Sequence, residues 1–372
     1  MENINVLIVG LYPSESCPVF SLEFAKSLKH CGYNVYAVLP VDVINKENWI
    51  DEFGNKHLVF LKLNKSNKII LKTIQKYLNI IRFILHRRKL FKKLKCVQFQ
   101  YVFYTFFHRW NSLVRRTVYS DNHILFVHDP IPHSDEISKR RILQAKQISE
   151  MSKLIVLSKS FIDVCVHEYN FDKKNIYYMP HCLMHYGDNE IHTLYNNTNR
   201  INFLFFGRIT TYKGLDILLQ AFHFIEKQYS ETHLWIVGNG NFQPYQELYN
   251  RLFNVHVINR YIDDHEIQDI FCMENTVCVL PYLDATQSGV ISIAYEFGTV
   301  VIATDIGGLK EQLADGKVGF FCEANNVQSL VNTMMEIMNK PYLLKLESER
   351  MLHYAKELNW DYVVKQLLTS MV

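Results

Sequence analysis

Phe205-Phe206-Gly207-Arg208-Ile209-Thr210-Thr211-Tyr212-Lys213-Gly214-Leu215-Asp216 reads as the end of a buried strand, a short polar loop and the start of a helix. Before it, Asn202 to Phe206 is an apolar run of strand length. After it, Gly214 to Gln228 spaces its apolar residues as a helix does, and His233 to Val237 is the next strand, ahead of Gly238-Asn239-Gly240. Such βαβ units build parallel sheets covered by helices. Arg208 and Lys213 bracket the loop, which runs into a helix N-terminus. Free N–H groups and a partial positive charge at such an end suit a phosphate. The planar fork of Arg and the point charge of Lys together match a diphosphate. In isolation the same spacing also describes surface charges beside a turn.

Working outward, the alternation continues in both directions. Asp264 to Met273 is helical, Thr276 to Leu280 is a strand ended by Pro281, Gly289 to Phe297 is a helix whose expected N-cap is Ser288, and Val300 to Thr304 is a strand. In the first half, Asn5 to Gly10 is a strand, and a helix from Val19 to Cys31 carries Phe20, Phe24, Ala25 and Leu28 on one face. Tyr33 to Leu39 is the second strand. Ile124 to Val127 is another, stopped by His128-Asp129-Pro130-Ile131-Pro132-His133, with a helix from Glu136 to Met151 after it. The stretch 186–200 (YGDNEIHTLYNNTNR) has no periodicity and reads as an interdomain linker. The expected fold class is α/β: two doubly wound Rossmann-like domains facing across a cleft, with ligands at the carboxyl ends of the strands. The expected boundaries are 1–190 and 198–355, with a terminal helix over 356–372.

Composition narrows the class. A chain of 372 residues that is 48% hydrophobic and 21% charged has ample material for a core, and it is neither collagen-like nor disordered. The acidic start and the short apolar run from Val6 to Leu11 do not look like a signal peptide. No stretch reaches the ~20 apolar residues of a membrane span. Eight scattered cysteines without a CxxC pattern fit free thiols in a reducing compartment, and no cluster has metal-ligand spacing. The expected location is therefore cytoplasmic.

Charge is informative in its distribution. The net charge is +3, yet between Phe53 and Ser120 there are 16 Lys or Arg and no acid, so the other residues carry 24 basic against 37 acidic groups. The segment 53–120 also holds apolar clusters, Ile80 to Leu85 and Tyr101 to Tyr104, and from Ile70 to Leu94 its apolar residues recur at helical spacing between Lys68, Lys72, Lys76 and Arg87 to Lys89. A basic amphipathic helix suits an anionic membrane surface. The alternatives are a solvated face on a core-packed helix, and nucleic acid. Nucleic acid is not expected as a partner, because no RNP, KH or zinc-finger pattern is present.

Several motifs recur in a fixed order: Gly207-Arg208 with Lys213-Gly214, then Ile236-Val237-Gly238-Asn239-Gly240, then Gln287-Ser288-Gly289-Val290 with Ala294-Tyr295-Glu296, then Asp305-Ile306-Gly307-Gly308 with Glu311, Asp315-Gly316 and Gly319. From about residue 200 to 360 this order resembles the donor domain of the family 4 retaining glycosyltransferases (glycosyl transferases group 1), which have the GT-B fold. The first half matches more loosely, through its opening βαβ, His128-Asp129-Pro130, Ser158 and Pro180-His181. Asn359-Trp360-Asp361 resembles the start of the family's last helix, which crosses back to the first domain.

The resemblance implies transfer of a hexose-type sugar from a nucleotide diphosphate sugar, with retention and without a metal or other cofactor. It assigns the diphosphate to Arg208 and Lys213, with Gly207, Gly238, Gly289 and Val290 around the donor. Glu296 matches the second acid of the family's E-x7-E motif, which bonds the ribose hydroxyls. His128 matches the histidine beside the sugar and reaction centre, with Asp129 and His133 on the acceptor or sugar side. The chain departs from the family twice. The first acid of E-x7-E falls at Ser288, which with the amides of Gly289 and Val290 is expected to replace it. The glycine pair after the first strand is replaced by Ser16-Cys17-Pro18-Val19. The basic segment points to a lipid-linked or oligosaccharide acceptor in surface polysaccharide (lipopolysaccharide or capsule) synthesis, and to peripheral attachment at the inner face of the cell membrane. A GT-B nucleotide-sugar 2-epimerase and a non-catalytic glycosyltransferase-like partner subunit are the alternatives.

Overall fold

Parallel strands buried on both faces read as unbroken apolar runs, and this chain has them in two sets. The computed structural model describes residues 4–14, 16–63, 72–130, 137–183, 186–187, 191–198 and 200–371. It divides into two units, Met1–Met179 with Trp360–Val372, and Pro180–Asn359.

In the first unit the strands are β1 (Asn5–Val9), β2 (Asn34–Pro40), β3 (Leu58–Leu61), β4 (Tyr101–Tyr104), β5 (His123–Val127), β6 (Lys153–Val156) and β7 (Ile176–Tyr178). They form one sheet in the order β3-β2-β1-β4-β5-β6-β7, with every pair parallel. The second unit repeats the plan with β8 (Asn202–Phe206), β9 (His233–Val237), β10 (Val255–Ile258), β11 (Thr276–Leu280), β12 (Val300–Thr304) and β13 (Phe320–Cys322). Their order is β10-β9-β8-β11-β12-β13, again parallel throughout. In each sheet the winding reverses beside the first strand, between β1 and β4 and between β8 and β11. The loops leaving these strands diverge there and leave a crevice.

The cores follow from the strand sequences. Phe203 and Phe205 point to one face of β8 with Val277 and Val279 of β11, under Leu218 and Phe222 of the helix Leu215–Gln228. Leu204, Cys278 and Leu280 point to the other face, against Ile291 and Ala294 of the helix Gly289–Phe297. Each such side chain stabilises the fold by ~1.5–3 kcal/mol relative to exposure. The terminal helix Trp360–Ser370 packs within the first unit. Trp360 meets Phe20 edge-on at 5.1 Å, and Asp361 accepts a hydrogen bond from Ser27 and contacts His30.

Two expectations are corrected here. The segment 53–120 is not one basic amphipathic element. Tyr101–Tyr104 is β4, buried between β1 and β5, and Leu58–Leu61 is β3. Aromatic runs serve a two-sided sheet as well as a membrane interface, so composition does not separate them. The helical part is Lys72–Leu94; Lys68 and Ile70 lie outside the described residues. Its inner face carries His86, Leu90 and Leu94, and Lys89 and Lys93 donate to the carbonyls of Phe60, Asn55 and Leu58. On the opposite side Ile81 and Leu85 are 54% and 56% exposed, Ile84 is exposed beside them, and Arg88 and Lys92 continue the same side. Among the described residues no helix is long and apolar enough to cross a membrane.

The second correction concerns the stretch 186–200. Its described residues are tied into the second unit. Thr193 is buried and donates to Phe271 O, and Tyr195 OH donates to Thr276 O. Backbone satisfied by side chains has no periodic signature, so the segment looked like a linker.

One helix positions the loops of the first unit. On Ile137–Ser149, Gln144 and Gln147 lie one turn apart and both are fully buried. Gln144 Nε2 donates to Asp129 O, while Gln147 accepts from Asn111 Nδ2 and the His108 amide and donates to His108 O. Gln147→Leu removes the acceptor of the His108 amide, while Asn111 Nδ2 keeps Phe106 O and His108 O keeps the Asn111 amide, so it should cost ~1–3 kcal/mol for one buried unsatisfied group, read as a lower urea midpoint with an unchanged slope. Wild-type stability in the variant would show that the pair does not hold the loop.

Candidate functional site

At the switch point of the second unit, the loop 207–214 leaves β8 and the loop 281–288 leaves β11. They touch through backbone. Gly214 adopts φ +64°, and a Cβ there would lie 1.9 Å from Pro281 O, so only glycine fits. Leu283 N–H donates to Tyr212 O at 2.7 Å, closing the second contact. Gly238, after β9, packs on Gly207, where a Cβ would lie 1.9 Å from Gly207 O. Its place is a close backbone approach that shapes the floor under the loop.

Lys213 is the centre of this arrangement. Sequence reading places it in an exposed loop, but it is 8% exposed, because the short 3-10 turn Thr211–Lys213 folds its side chain back over Gly207. A Cβ on Gly207 would sit 2.7 Å from Lys213 Nζ and 3.9 Å from Val290 Cγ2, so the ammonium, Gly207 and the start of the helix Gly289–Phe297 converge. Lys213 Nζ donates to Tyr282 Oη at 3.0 Å and lies 4.9 Å from the Tyr282 ring centroid. Among the described residues no carboxylate lies within ion-pair distance of it. A buried cation without a counter-charge is costly unless an anion binds. Arg208 is exposed, as expected, and makes no hydrogen bond or ion pair among the described residues.

Ser288 occupies the N-cap position of the helix Gly289–Phe297, with φ −134° and ψ 119°, but its side chain does not cap the helix. Its Oγ lies 3.2 Å from Tyr282 Oη. Gln312 holds its main chain instead: Ser288 N–H donates to Oε1 at 2.7 Å and Nε2 donates to Ser288 O at 3.2 Å. Tyr295 OH in turn donates to Gln312 O. Gly289 is exposed, with open space where a side chain would be. Tyr282 and Gln312 are the residues that sequence reading missed. Both lie beside quoted motifs, but nothing in an isolated Tyr or Gln signals that it reaches a lysine 69 residues away or a serine 24 residues away.

Glu296 is buried and already engaged. It accepts from the amide of Tyr186 at 2.8 Å and from the amide of Gly187. Burial pushes its carboxyl up to about 7, against the two amide bonds that favour the ion. In the first unit His128 follows β5. Its Nε2 lies 2.8 Å from Thr105 O, and its ring stacks on Phe106 at 4.1 Å. A carbonyl only accepts, so Nε2 carries the proton. Asp129 is set beside it by the Gln144 bond. His133 lies outside the described residues.

Comparison with known proteins agrees with the geometry of the second unit. Residues 200–340 match the family described as glycosyl transferases group 1. An uncharacterized glycosyltransferase of Haemophilus influenzae is 24% identical over 256 residues, covering 66% of this chain and 67% of that protein. The chain spans from 41% to 67% of the length of the first curated relatives it matches. A glycosyltransferase from Rickettsia africae superposes with a TM-score of 0.69 at 16% identity, covering 99% of this chain and 98% of that one. Anabaena HepE, solved in complex with UDP-glucose, has a TM-score of 0.71 at 12% identity over 99% of both chains. At such identities these structures establish the fold, which is GT-B.

Glu296 makes a pH signature. Its carboxyl titrates at about 7 when folded, against an ordinary 4.5. The folded protein therefore holds the extra proton between these values, and the stability it adds is complete below 4.5 and lost as pH rises through 7. Melting temperatures of wild type relative to Glu296→Gln should fall between pH 5 and 7 and then level off. A difference that is flat with pH would show that the carboxyl is not held protonated.

Proposed function

We propose that this chain, whose residues 200–340 match the glycosyl transferases group 1 family and whose fold is GT-B, transfers a sugar from a nucleotide diphosphate sugar with retention at the anomeric carbon. The observation that carries the reading is Lys213, a buried ammonium with no carboxylate partner, facing Gly207 and the start of the helix Gly289–Phe297. A diphosphate supplies the missing negative charge.

The chemistry follows from where charge develops. As the glycosidic C–O bond breaks, electrons pass to the diphosphate oxygen, and a preorganised cation and helix amides stabilise that charge more than they stabilise the ground state. Lys213 meets the charge from a buried position, Arg208 from an exposed one that is free to close on the ligand, and the amides of Gly289 and Val290 from the helix end, whose first turn has no intrahelical acceptors for them. The acceptor hydroxyl attacks from the face the leaving group departs, and its proton passes to the diphosphate. Ribose hydroxyls bond Glu296 by displacing the Tyr186 and Gly187 amides. His128, held as the Nε2–H tautomer, is the reaction-centre histidine. This scheme needs no metal, because the two cations carry the leaving-group charge.

Lys213→Ala and Arg208→Ala should each lower turnover by roughly 10²–10³, the scale for one preorganised electrostatic group. Lys213→Ala should not unfold the apo protein, because it removes a buried charge that has no ion partner among the described residues. Activity within about threefold of wild type for both variants, where such a group should cost far more, would remove the diphosphate clamp.

The acceptor in this reading is lipid-linked, at an anionic membrane on which the protein rests. The support is the outer side of the helix Lys72–Leu94, where exposed Ile81, Ile84 and Leu85 adjoin Arg88 and Lys92. Each basic residue near anionic lipid contributes ~1 kcal/mol. Arg88→Gln with Lys92→Gln, and separately Ile81→Ser with Leu85→Ser, should each weaken sedimentation with anionic vesicles. Binding should also fall with salt, since charges are screened within about 8 Å at physiological ionic strength. Lys89 and Lys93 are left intact because they satisfy carbonyls of the fold. Protein that stays in the supernatant at low salt would make this helix face a solvated one.

A further inference from the structure

The hydrogen bonds around Ser288 have a direction. Lys213 Nζ offers donors only, so Tyr282 Oη accepts at 3.0 Å. Tyr282 is 2% exposed, and its own proton needs an acceptor, because a buried donor left without one is destabilising. Among the described residues the other hydrogen-bond partner of Oη is Ser288 Oγ at 3.2 Å, and with Lys213 donating to Oη, Tyr282 donates to Ser288. Ser288 Oγ, filled from that side and not used as a helix cap, has its own proton left to donate. The chain Lys213 to Tyr282 to Ser288 therefore runs one way and ends in a hydroxyl donor with a cation behind it. Gln312 fixes both main-chain polar groups of Ser288, and the Thr304 hydroxyl donates to Tyr282 O at 2.8 Å, so the chain is held in place.

This polarity is the inverse of an acid at the same place. A carboxylate accepts from sugar hydroxyls and repels negative groups; Ser288 is neutral and presents a donor. We propose that Ser288 and Tyr282 make the sugar side of this site selective for a donor whose sugar bears a carboxylate, a nucleotide diphosphate hexuronic acid, over the neutral hexose. Ser288 contacts the carboxylate, and Tyr282 is a positioning residue that sets the direction of the Ser288 proton. The proposal rests on the nucleotide-sugar reading and specifies its substrate class. Gain from a hydrogen bond to a charged group is ~1.5–3 kcal/mol, which is about ten- to a hundredfold in affinity.

The test is calorimetric titration of the full chain with bare UDP and GDP, UDP-glucose, UDP-glucuronic acid, UDP-N-acetylglucosamine, GDP-mannose and GDP-mannuronic acid. The expected result is that, on the base that binds, the uronic acid form binds at least about tenfold tighter than the neutral form. Ser288→Ala and Tyr282→Phe should each bring that ratio toward one, with the bare nucleotide as reference, and Ser288→Glu should reverse it. Circular dichroism confirms that each variant is folded, and the phenylalanine variant keeps the shape of the tyrosine. Binding of the bare nucleotide with no preference for the uronic acid, a preference for the N-acetyl sugar, or a ratio that Ser288→Ala and Ser288→Glu leave unchanged would overturn this proposal alone. Binding of neither UDP nor GDP would overturn the nucleotide-sugar reading and this one with it.

Discussion

Lys213 carries a positive charge into a place where water barely reaches and no carboxylate among the described residues answers it. Leaving an ion there costs several kcal/mol unless other groups share the charge, and the second unit is arranged around that requirement. The ammonium rests on the hydroxyl and near the ring of Tyr282, a partial compensation by a dipole and a π face. To bring Tyr282 that close, the loops after β8 and β11 must meet backbone to backbone, and glycine at 214 is what allows the contact. Gly207 leaves the space above it to the ammonium for the same reason.

The same requirement reaches the helix that follows. Ser288 does not cap the helix Gly289–Phe297, because its hydroxyl belongs to Tyr282. Gln312, at the end of the helix Leu309–Gln312, holds the Ser288 main chain by accepting from its N–H and donating to its carbonyl, and leaves the first amides of the helix Gly289–Phe297 uncapped by a side chain. Ser288 is thus tied through Tyr282 to the cation instead of to the helix.

The first unit uses another device for the same purpose. Gln144 and Gln147, one turn apart on one helix, clamp the turn at Asp129 and the loop at His108. His128 then has its tautomer chosen by Thr105 O and its plane by Phe106. The basic helix is divided between tasks. One side packs on the core and spends two lysines on carbonyls at the edge of the sheet, while the other presents apolar and basic residues outward.

Much of the fold was legible in the residues themselves. The strands at 202–206, 233–237, 276–280 and 300–304 coincide with β8, β9, β11 and β12, because a strand buried on both faces must be apolar along its whole length and local periodicity records that. The ordered glycines and the Arg208 and Lys213 pair marked a phosphate-type loop for a similar reason: backbone conformation and charge are local properties. The aromatic strand Tyr101–Tyr104 was not legible as core, nor were the satisfied turns of 186–200, because burial is decided by what packs above and below. Lys213 reads as exposed from a polar loop and is buried by a tyrosine far along the chain. Sequence alone determined the alternating strands and helices around the loop 207–214 and which cations and glycines stand at their ends. Only the tertiary structure decided that Ser288 meets Tyr282 instead of capping its helix and that Glu296 is held by main-chain amides. Hydrogen-bond direction depends on the complete set of neighbours, and those neighbours come together only when distant loops fold against one another.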